Sequence, residues 1–354
     1  MQRTLLFLVN PKAGRAEIKN NLLEVIDQFV KNDWKVVVRT TQYSGELVEI
    51  IKAEAGQYDL VVCSGGDGTL NEAVGGLLQS DSHPWLGYIP AGTTNDFAVS
   101  LGIPRNALQA AEVIVKGQPF SCDVGLFNER HFVYVAAFGA FTEVSYSTPQ
   151  QFKNALGRAA YILEGIKHLA EIKGYQLTVE HDGETICGEF IFGMVSNSIS
   201  VGGFKMNTKA NVSMDDGLLE VLLVKMPRNP MELQGAIAAL LLNDFNNPCL
   251  HAFHTSALRI SATEEISWTL DGEFGGNLQE VQIEVLHRAY EIIIPAEETE
   301  EREEIIKNKQ KTANCAMESI AVGRFGLTQL NSVRENGQKG RQQQTNRKHG
   351  YKYN

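Results

Sequence analysis

Over its first 118 residues the chain alternates short apolar runs with stretches of helical periodicity. Residues 5–9 form a continuous apolar run, the pattern of a strand covered on both faces. Ile18, Leu22, Val25, Ile26 and Phe29 then recur at helical spacing. Residues 34–41 predict a second strand, and Ser44 is placed to cap a helix carrying Leu47, Val48 and Ile51. Residues 59–63 predict a third strand, followed by a glycine-rich turn and a helix from about Asn71. Residues 86–89 predict a fourth, again followed by a turn and a helix. This order implies an α/β domain with an open parallel sheet and helices on both faces.

The period changes near Phe120. Segments 131–135, 175–181, 190–195, 218–224, 258–261, 266–270, 281–285 and 290–294 alternate in the manner of antiparallel strands. Helical spacing interrupts them at 152–172, with Leu156, Ala160, Leu163, Ile166 and Leu169 on one face, and again near 231–242. From residue 296 the chain has an acidic run and then many Gln, Asn, Lys and Arg residues with few apolar ones. The expected organisation is an α/β domain over 1–120, a β-rich antiparallel domain over 121–295 whose last strand returns to the first, and a disordered tail over 296–354. In such an arrangement the active site falls in the cleft between the two domains.

A length of 354 residues suits two cores. The net charge of −10 is unevenly placed. Residues 1–295 hold 21 basic against 34 acidic side chains, and residues 296–354 hold 11 against 8. An acidic body argues against nucleic-acid binding. The five cysteines are scattered without zinc-ligand spacing, which fits a reducing compartment. The apolar run at the start is too short for a signal peptide, and none later is long enough to span a bilayer. Lys153, Arg158, Lys167 and Lys173 flank the 152–172 helix and read as its solvated face; contact with anionic lipid is the minority reading.

Three strings at strand ends carry chemistry. Ser64-Gly65-Gly66-Asp67-Gly68-Thr69-Leu70-Asn71-Glu72 follows a buried strand and opens a helix. Glycines there let backbone approach phosphate closely, and a helix start offers free N–H groups. Asp67 supplies a carboxylate for Mg²⁺, directly or through water. Asn10-Pro11-Lys12-Ala13-Gly14-Arg15 ends the first strand; alone it reads equally well as a plain turn. Ile89-Pro90-Ala91-Gly92-Thr93-Thr94-Asn95-Asp96-Phe97-Ala98 ends the fourth, and Asp96 is placed to extend an acidic, magnesium-binding network with Asp67. There Thr94 or Asn95 serves equally well as a helix cap.

Together these strings resemble the diacylglycerol kinase catalytic family, in particular its bacterial soluble lipid kinases. Its marks are Asn-Pro-x-x-Gly, Gly-Gly-Asp-Gly-Thr and Pro-x-Gly-Thr-x-Asn-Asp, all present in order. Two later segments extend the likeness to about residue 295: 213–221, which begins Ser213-Met214-Asp215-Asp216-Gly217-Leu218, and Leu270-Asp271-Gly272-Glu273. The resemblance implies an ATP- and Mg-dependent kinase that phosphorylates a lipid hydroxyl, diacylglycerol before others, giving phosphatidate for phospholipid biosynthesis. It places ATP against Asn10, Pro11, Lys12, Ala13 and Gly14, against Thr41, against Gly66, Asp67, Gly68, Thr69, Leu70, Asn71 and Glu72, and against Thr94. It places a structural Mg²⁺ at Ser213, Asp216 and the Leu218 carbonyl. Glu273 matches the general base that takes the lipid hydroxyl proton; Asp271 and Glu273 sit two apart after a strand, so one of these two candidate catalytic carboxylates can project into the cleft. In sequence alone Asp271-Gly272-Glu273 reads first as a hairpin turn, and the resemblance reverses that order.

The implied setting is cytoplasmic, at the inner face of a membrane that supplies the lipid, with a homodimer possible. Two departures stand out. Lys12-Ala13 replace the small hydroxyl residue common before the glycine, and residues 207–210 lack a frequent Pro-x-Ala pattern. The alternatives are an NAD kinase, which shares the Gly-Gly-Asp-Gly-Thr loop, a sphingosine-type kinase differing only in acceptor, and a non-catalytic nucleotide-binding regulator.

Overall fold

A computed structural model describes residues 2–13, 17–92, 95–139, 172–197, 200–201, 204–205, 213–242 and 244–296. All of these fall within one compact unit, Met1–Ala296. The tail and residues 152–171 of the expected helix lie outside the described residues, as do Gly14 and Thr94.

The continuous apolar runs become a parallel sheet. Strand β1 (Arg3–Val9) pairs with β2 (Trp34–Thr40) on one side and with β3 (Leu60–Gly65) on the other, and β3 pairs with β4 (Trp85–Pro90). Leu5 to Val9 and Leu60 to Cys63 are buried, as strands covered on both faces must be. Five helices join them: α1 (Glu17–Lys31), α2 (Glu46–Glu54), α3 (Asp67–Leu78), the short α4 (Asp96–Ser100) and α5 (Ala107–Lys116). Helix α1 packs on α5, and α2 on α3. Ile18, Val25 and Phe29 are the buried stripe of α1, and Phe29 meets Phe7 edge-on at 5.9 Å.

Two helix starts differ from expectation. Ser44 does not cap α2; Gly45 occupies that position at φ 87°, and the Ser44 hydroxyl donates instead to Glu72 Oε1 at 2.9 Å. Helix α3 begins at Asp67, four residues before the expected start. Its first turn is closed by the Leu70 amide on the Gly66 carbonyl at 3.1 Å, so the glycine loop itself winds into the helix.

The second half is antiparallel. It comprises β5 (Gln118–Phe127), β6 (Arg130–Phe132), β7 (Val135–Gly139), β8 (Tyr175–His181), β9 (Glu184–Ser196), a small hairpin of β10 (Ser200–Val201) and β11 (Phe204–Lys205), then β12 (Leu219–Lys225), helix α6 (Pro230–Leu242), β13 (Leu250–Thr255), β14 (Ala257–Leu270) and β15 (Glu273–Ile294). Residues 258–261 and 266–270, expected apart, run together in β14. Segments 281–285 and 290–294 run together in β15, with a register shift between Leu286 and Tyr290 where Arg288 takes φ 49°. The shift has a cause: the Arg288 amide turns to donate to buried Asp123 Oδ1 at 2.6 Å.

Among the described residues one sheet runs through both halves, in the order β13-β12-β9-β7-β14-β15-β4-β3-β1-β2. The join is β15, which lies antiparallel to β14 and β5 along most of its length and parallel to β4 where Ile292 meets Leu86. A second core cluster sits under the antiparallel part. At its centre buried Trp268 meets Phe127 at 5.0 Å and Phe138 at 4.8 Å between ring centres.

Trp268→Ala empties that centre. It is expected to cost about 3–5 kcal/mol in urea denaturation. A loss below about 1 kcal/mol would show that Trp268 does not organise the cluster.

Candidate active site

The registers Val9↔Ser64 and Gly65↔Pro90 bring the ends of β1, β3 and β4 level, so their three loops start side by side. Asn10 joins the first two. Its amide donates to the Ser64 carbonyl at 3.0 Å, its Nδ2 to Thr69 Oγ1 at 3.1 Å, and its Oδ1 accepts from the Lys12 amide at 3.0 Å. The second and third loops meet through glycines. A Cβ on Gly92 would lie 2.6 Å from the Gly66 Cα, so the third loop admits no side chain there, and one on Gly66 would lie 3.3 Å from the Gly92 Cα. Buried Asn95, held at φ 51°, braces the third loop: its Oδ1 accepts from the Gly92 amide at 3.0 Å and its Nδ2 donates to the Gly92 carbonyl at 2.9 Å. The buried Tyr88 hydroxyl donates to the Gly65 carbonyl at 3.1 Å.

A fourth segment arrives from 200 residues away. Leu270 and Glu273 pair across the β14–β15 hairpin, whose two turn residues, Asp271 and Gly272, both have positive φ, 50° and 86°. The Asp271 carboxylate is buried and accepts four N–H groups: Val133 at 2.7 Å and Asn71 Nδ2 at 2.6 Å on Oδ2, Tyr134 at 3.0 Å and Val135 at 2.9 Å on Oδ1. This also explains why the strand expected over 131–135 is split into β6 and β7. The amides of 133–135 turn away from strand pairing to face Asp271. Burial pushes the Asp271 pKa up, and these donors act against that rise.

The clasp sets Glu273. Its carboxylate is exposed, with Oε1 3.4 Å from where a Cβ on Gly68 would stand, directly over the loop that opens α3. Asp67, at the start of α3, has its pKa raised from the usual 3.8 to about 6, first by burial and then by the charge of Asp96, with the backbone of Phe97, Asp96 and Asn95 pulling it back. Its Oδ1 is buried without a hydrogen-bond partner. Burial also raises the Tyr134 hydroxyl, and Asp271, Asp67, Asp96 and Glu273 raise it further.

An orphaned, desolvated carboxylate oxygen beside a second carboxylate suits a divalent cation. Among the described residues no group of three or more His, Cys, Asp or Glu is arranged to hold a metal. Residues 213–218 form a turn of another kind. Ser213 Oγ donates to Asp215, Asp215 pairs with Arg288 at 3.3 Å, and the exposed Asp216 caps the Leu218 amide at 3.0 Å.

Pro11, Lys12 and Ala13 follow Asn10 at the rim, with Lys12 exposed. Thr41 is buried, its amide donating to the Val9 carbonyl at 3.0 Å. Leu70 faces the core, and Thr69 is engaged by Asn10. The Glu72 carboxylate is taken by Ser44 and the Gly45 amide at 3.0 Å, and the Asn71 side chain by Asp271, so these residues offer a ligand backbone more than side chain. Sequence reasoning missed Tyr134, Tyr88 and Asp123. The buried Asp123 carboxylate accepts the Gly217 amide at 2.7 Å and the Arg288 amide at 2.6 Å. A charged residue inside an otherwise apolar strand was its only signal.

The family profile of the diacylglycerol kinase catalytic domain matches residues 4–127, and that of the YegS C-terminal NAD kinase beta sandwich-like domain matches residues 136–294. A diacylglycerol kinase of Bacillus subtilis (strain 168) is 33% identical over 298 residues, covering 83% of this chain and 97% of that protein. One from Staphylococcus aureus (strain bovine RF122 / ET3-1) is 32% identical over 281 residues, covering 78% and 88%. The crystal structure of a diacylglycerol kinase from Bacillus anthracis str. Sterne superposes with a TM-score of 0.63 at 25% identity, over 83% of this chain and 97% of that one.

Because the folded pKa of Asp67 lies above its unfolded value, the folded protein binds the extra proton. Metal-free stability is therefore lost as pH rises from about 4 through about 6. Asp67→Asn is expected to flatten that slope, to be more stable than wild type above pH 6, and to show no advantage below pH 4. Urea denaturation in chelator across pH 4–8 measures this. An advantage that persists unchanged at pH 4 would rule out Asp67 as the titrating group.

Proposed function

The chain belongs to the diacylglycerol kinase catalytic-domain family, and from that premise we propose that it is an ATP- and Mg-dependent lipid kinase, taking diacylglycerol to phosphatidate. The observation that carries this reading is the Glu273 carboxylate poised over Gly68. A base and a phosphate-type loop meet there, as transfer to a hydroxyl requires.

In this reading residues 1–120 hold the nucleotide, 121–295 hold the lipid, 296–354 are an appended tail, and transfer takes place in the cleft between the first two. The loops of Asn10 to Gly14 and of Gly66 to Glu72, with Thr41 and Thr94, cradle ATP. The α3 start and its backbone N–H groups face the phosphates. Asp67 and Asp96 hold the catalytic Mg²⁺, which when bound neutralises charge on the phosphates. Ser213, Asp216 and the Leu218 carbonyl are assigned the family's second, structural ion. Glu273 takes the proton from the lipid hydroxyl. The freed oxygen bonds to the γ-phosphorus, the bond to the bridging oxygen breaks, and ADP leaves. Asp271, its oxygens saturated by four donors, acts by positioning Glu273.

Among the described residues no helix is long and apolar enough to cross a membrane. The proposed enzyme works from the cytoplasmic side and meets its substrate at the inner membrane surface.

The test is γ-labelled ATP with Mg²⁺ and diacylglycerol in mixed micelles, with NAD as a competing acceptor because of the second matched domain. Labelled phosphatidate is expected, falling roughly 10²–10⁴-fold in Glu273→Gln. Label on NAD alone would refute the lipid-kinase reading, and label on neither acceptor would refute diacylglycerol as its substrate.

A further inference from the structure

Tyr134 stands where the two halves of the site meet, and no sequence motif includes it. It lies in the break between β6 and β7. Its amide donates to Asp271 Oδ1 at 3.0 Å and its carbonyl accepts the Asn197 amide at 3.1 Å, so its backbone is fixed from both sides. Its ring packs against the core of the parallel half and against the cluster under α6. The hydroxyl points to the hairpin tip, 3.8 Å from where a Cβ on Gly272 would stand. The charged groups that face it are Asp271, Asp67, Asp96 and Glu273, which come from α3, α4 and the β14–β15 hairpin. Among the described residues no hydrogen bond engages the hydroxyl, and the residue is half-buried.

A phenol among four carboxylates stays protonated, because ionisation would add a fifth negative charge in a desolvated place. It is therefore a neutral donor at physiological pH. A phosphoryl group entering the same space carries its own negative charge and finds carboxylates on every side. A cation offsets part of that repulsion. Oriented donors fixed before the reaction offset more, and each is worth most where water is excluded. Asp271 is saturated and Glu273 is a base, so neither donates. The free hydroxyl of Tyr134 does.

We propose that Tyr134 is a further catalytic residue of the transfer, donating a hydrogen bond to an anionic oxygen of the phosphoryl group as it passes from ATP to the lipid hydroxyl. This rests on the kinase reading above. The Asp271 clasp uses only the Tyr134 backbone, so Tyr134→Phe removes the donor and leaves ring and clasp in place.

The experiment measures kcat, KM for ATP, melting temperature and pH profile for wild type and Tyr134→Phe in the labelled-lipid assay. The expected result is a kcat lowered roughly 10- to 100-fold, the value of a hydrogen bond to a charged group. KM for ATP, melting temperature and the acid limb of the profile stay unchanged. A kcat within about twofold of wild type overturns the proposal. So does a loss that follows a lowered melting temperature, which marks a packing role. An upward shift of the acid limb with an unchanged plateau also overturns it, since the hydroxyl would then be serving Glu273. If wild type labels no lipid, the kinase reading itself fails and this inference falls with it, an outcome distinct from an active wild type and an equally active Tyr134→Phe.

Discussion

Everything at this site hangs on how one buried carboxylate is satisfied. Asp271 gives its oxygens to the amides of Val133, Tyr134 and Val135 and to the Asn71 side chain. A charge withdrawn from water is costly unless it is paired or hydrogen-bonded, and charge-assisted bonds of this kind are the strong ones. The cost is met only when the β14–β15 hairpin, the break between β6 and β7 and the helix α3 come together. The same interaction that removes the penalty fixes three separate parts of the chain. Glu273 owes its place over Gly68 to that arrangement.

Asp123 does a similar service at the other end of β15, where it gathers the amides of Gly217 and Arg288. Asp67 is the contrast. It is also withdrawn from water, yet one oxygen has no partner and the charge of Asp96 acts against its ionisation. Of these three carboxylates two are satisfied and Asp67 is left in deficit, and that deficit lies in the glycine loop. A group held against its own electrostatic preference is ready for a cation or a proton.

Sequence carried the loops well, because each is local: glycines, an Asp and a helix start within ten residues announce their own geometry. The parallel strands were readable for the same reason, as continuous apolar runs. What escaped was decided by distant partners. Ser44 had every local qualification as a cap, but Glu72 reaches it first. The 131–135 segment alternates like a strand, but its amides answer to Asp271, about 137 positions away for Tyr134. The four segments that fuse into β14 and β15 were split by polar stretches, which the strands carry across register shifts between Ser261 and Ile266 and between Leu286 and Tyr290. Tyr134 and Asp123 sit in no motif, since their meaning comes from what folds around them.

The long strand β15 imposes an order on synthesis. Strand β4 gains its neighbour on one side at Leu86 only when Ile292 reaches it. Until some two hundred further residues have been made, the parallel half carries an unpartnered edge, with a row of amides and carbonyls open to any passing strand. The N-terminal half of a new chain cannot be closed early, in the way independent modules finish one by one as they emerge. Its maturation waits on the far end, and until that end arrives the β4 edge stays open.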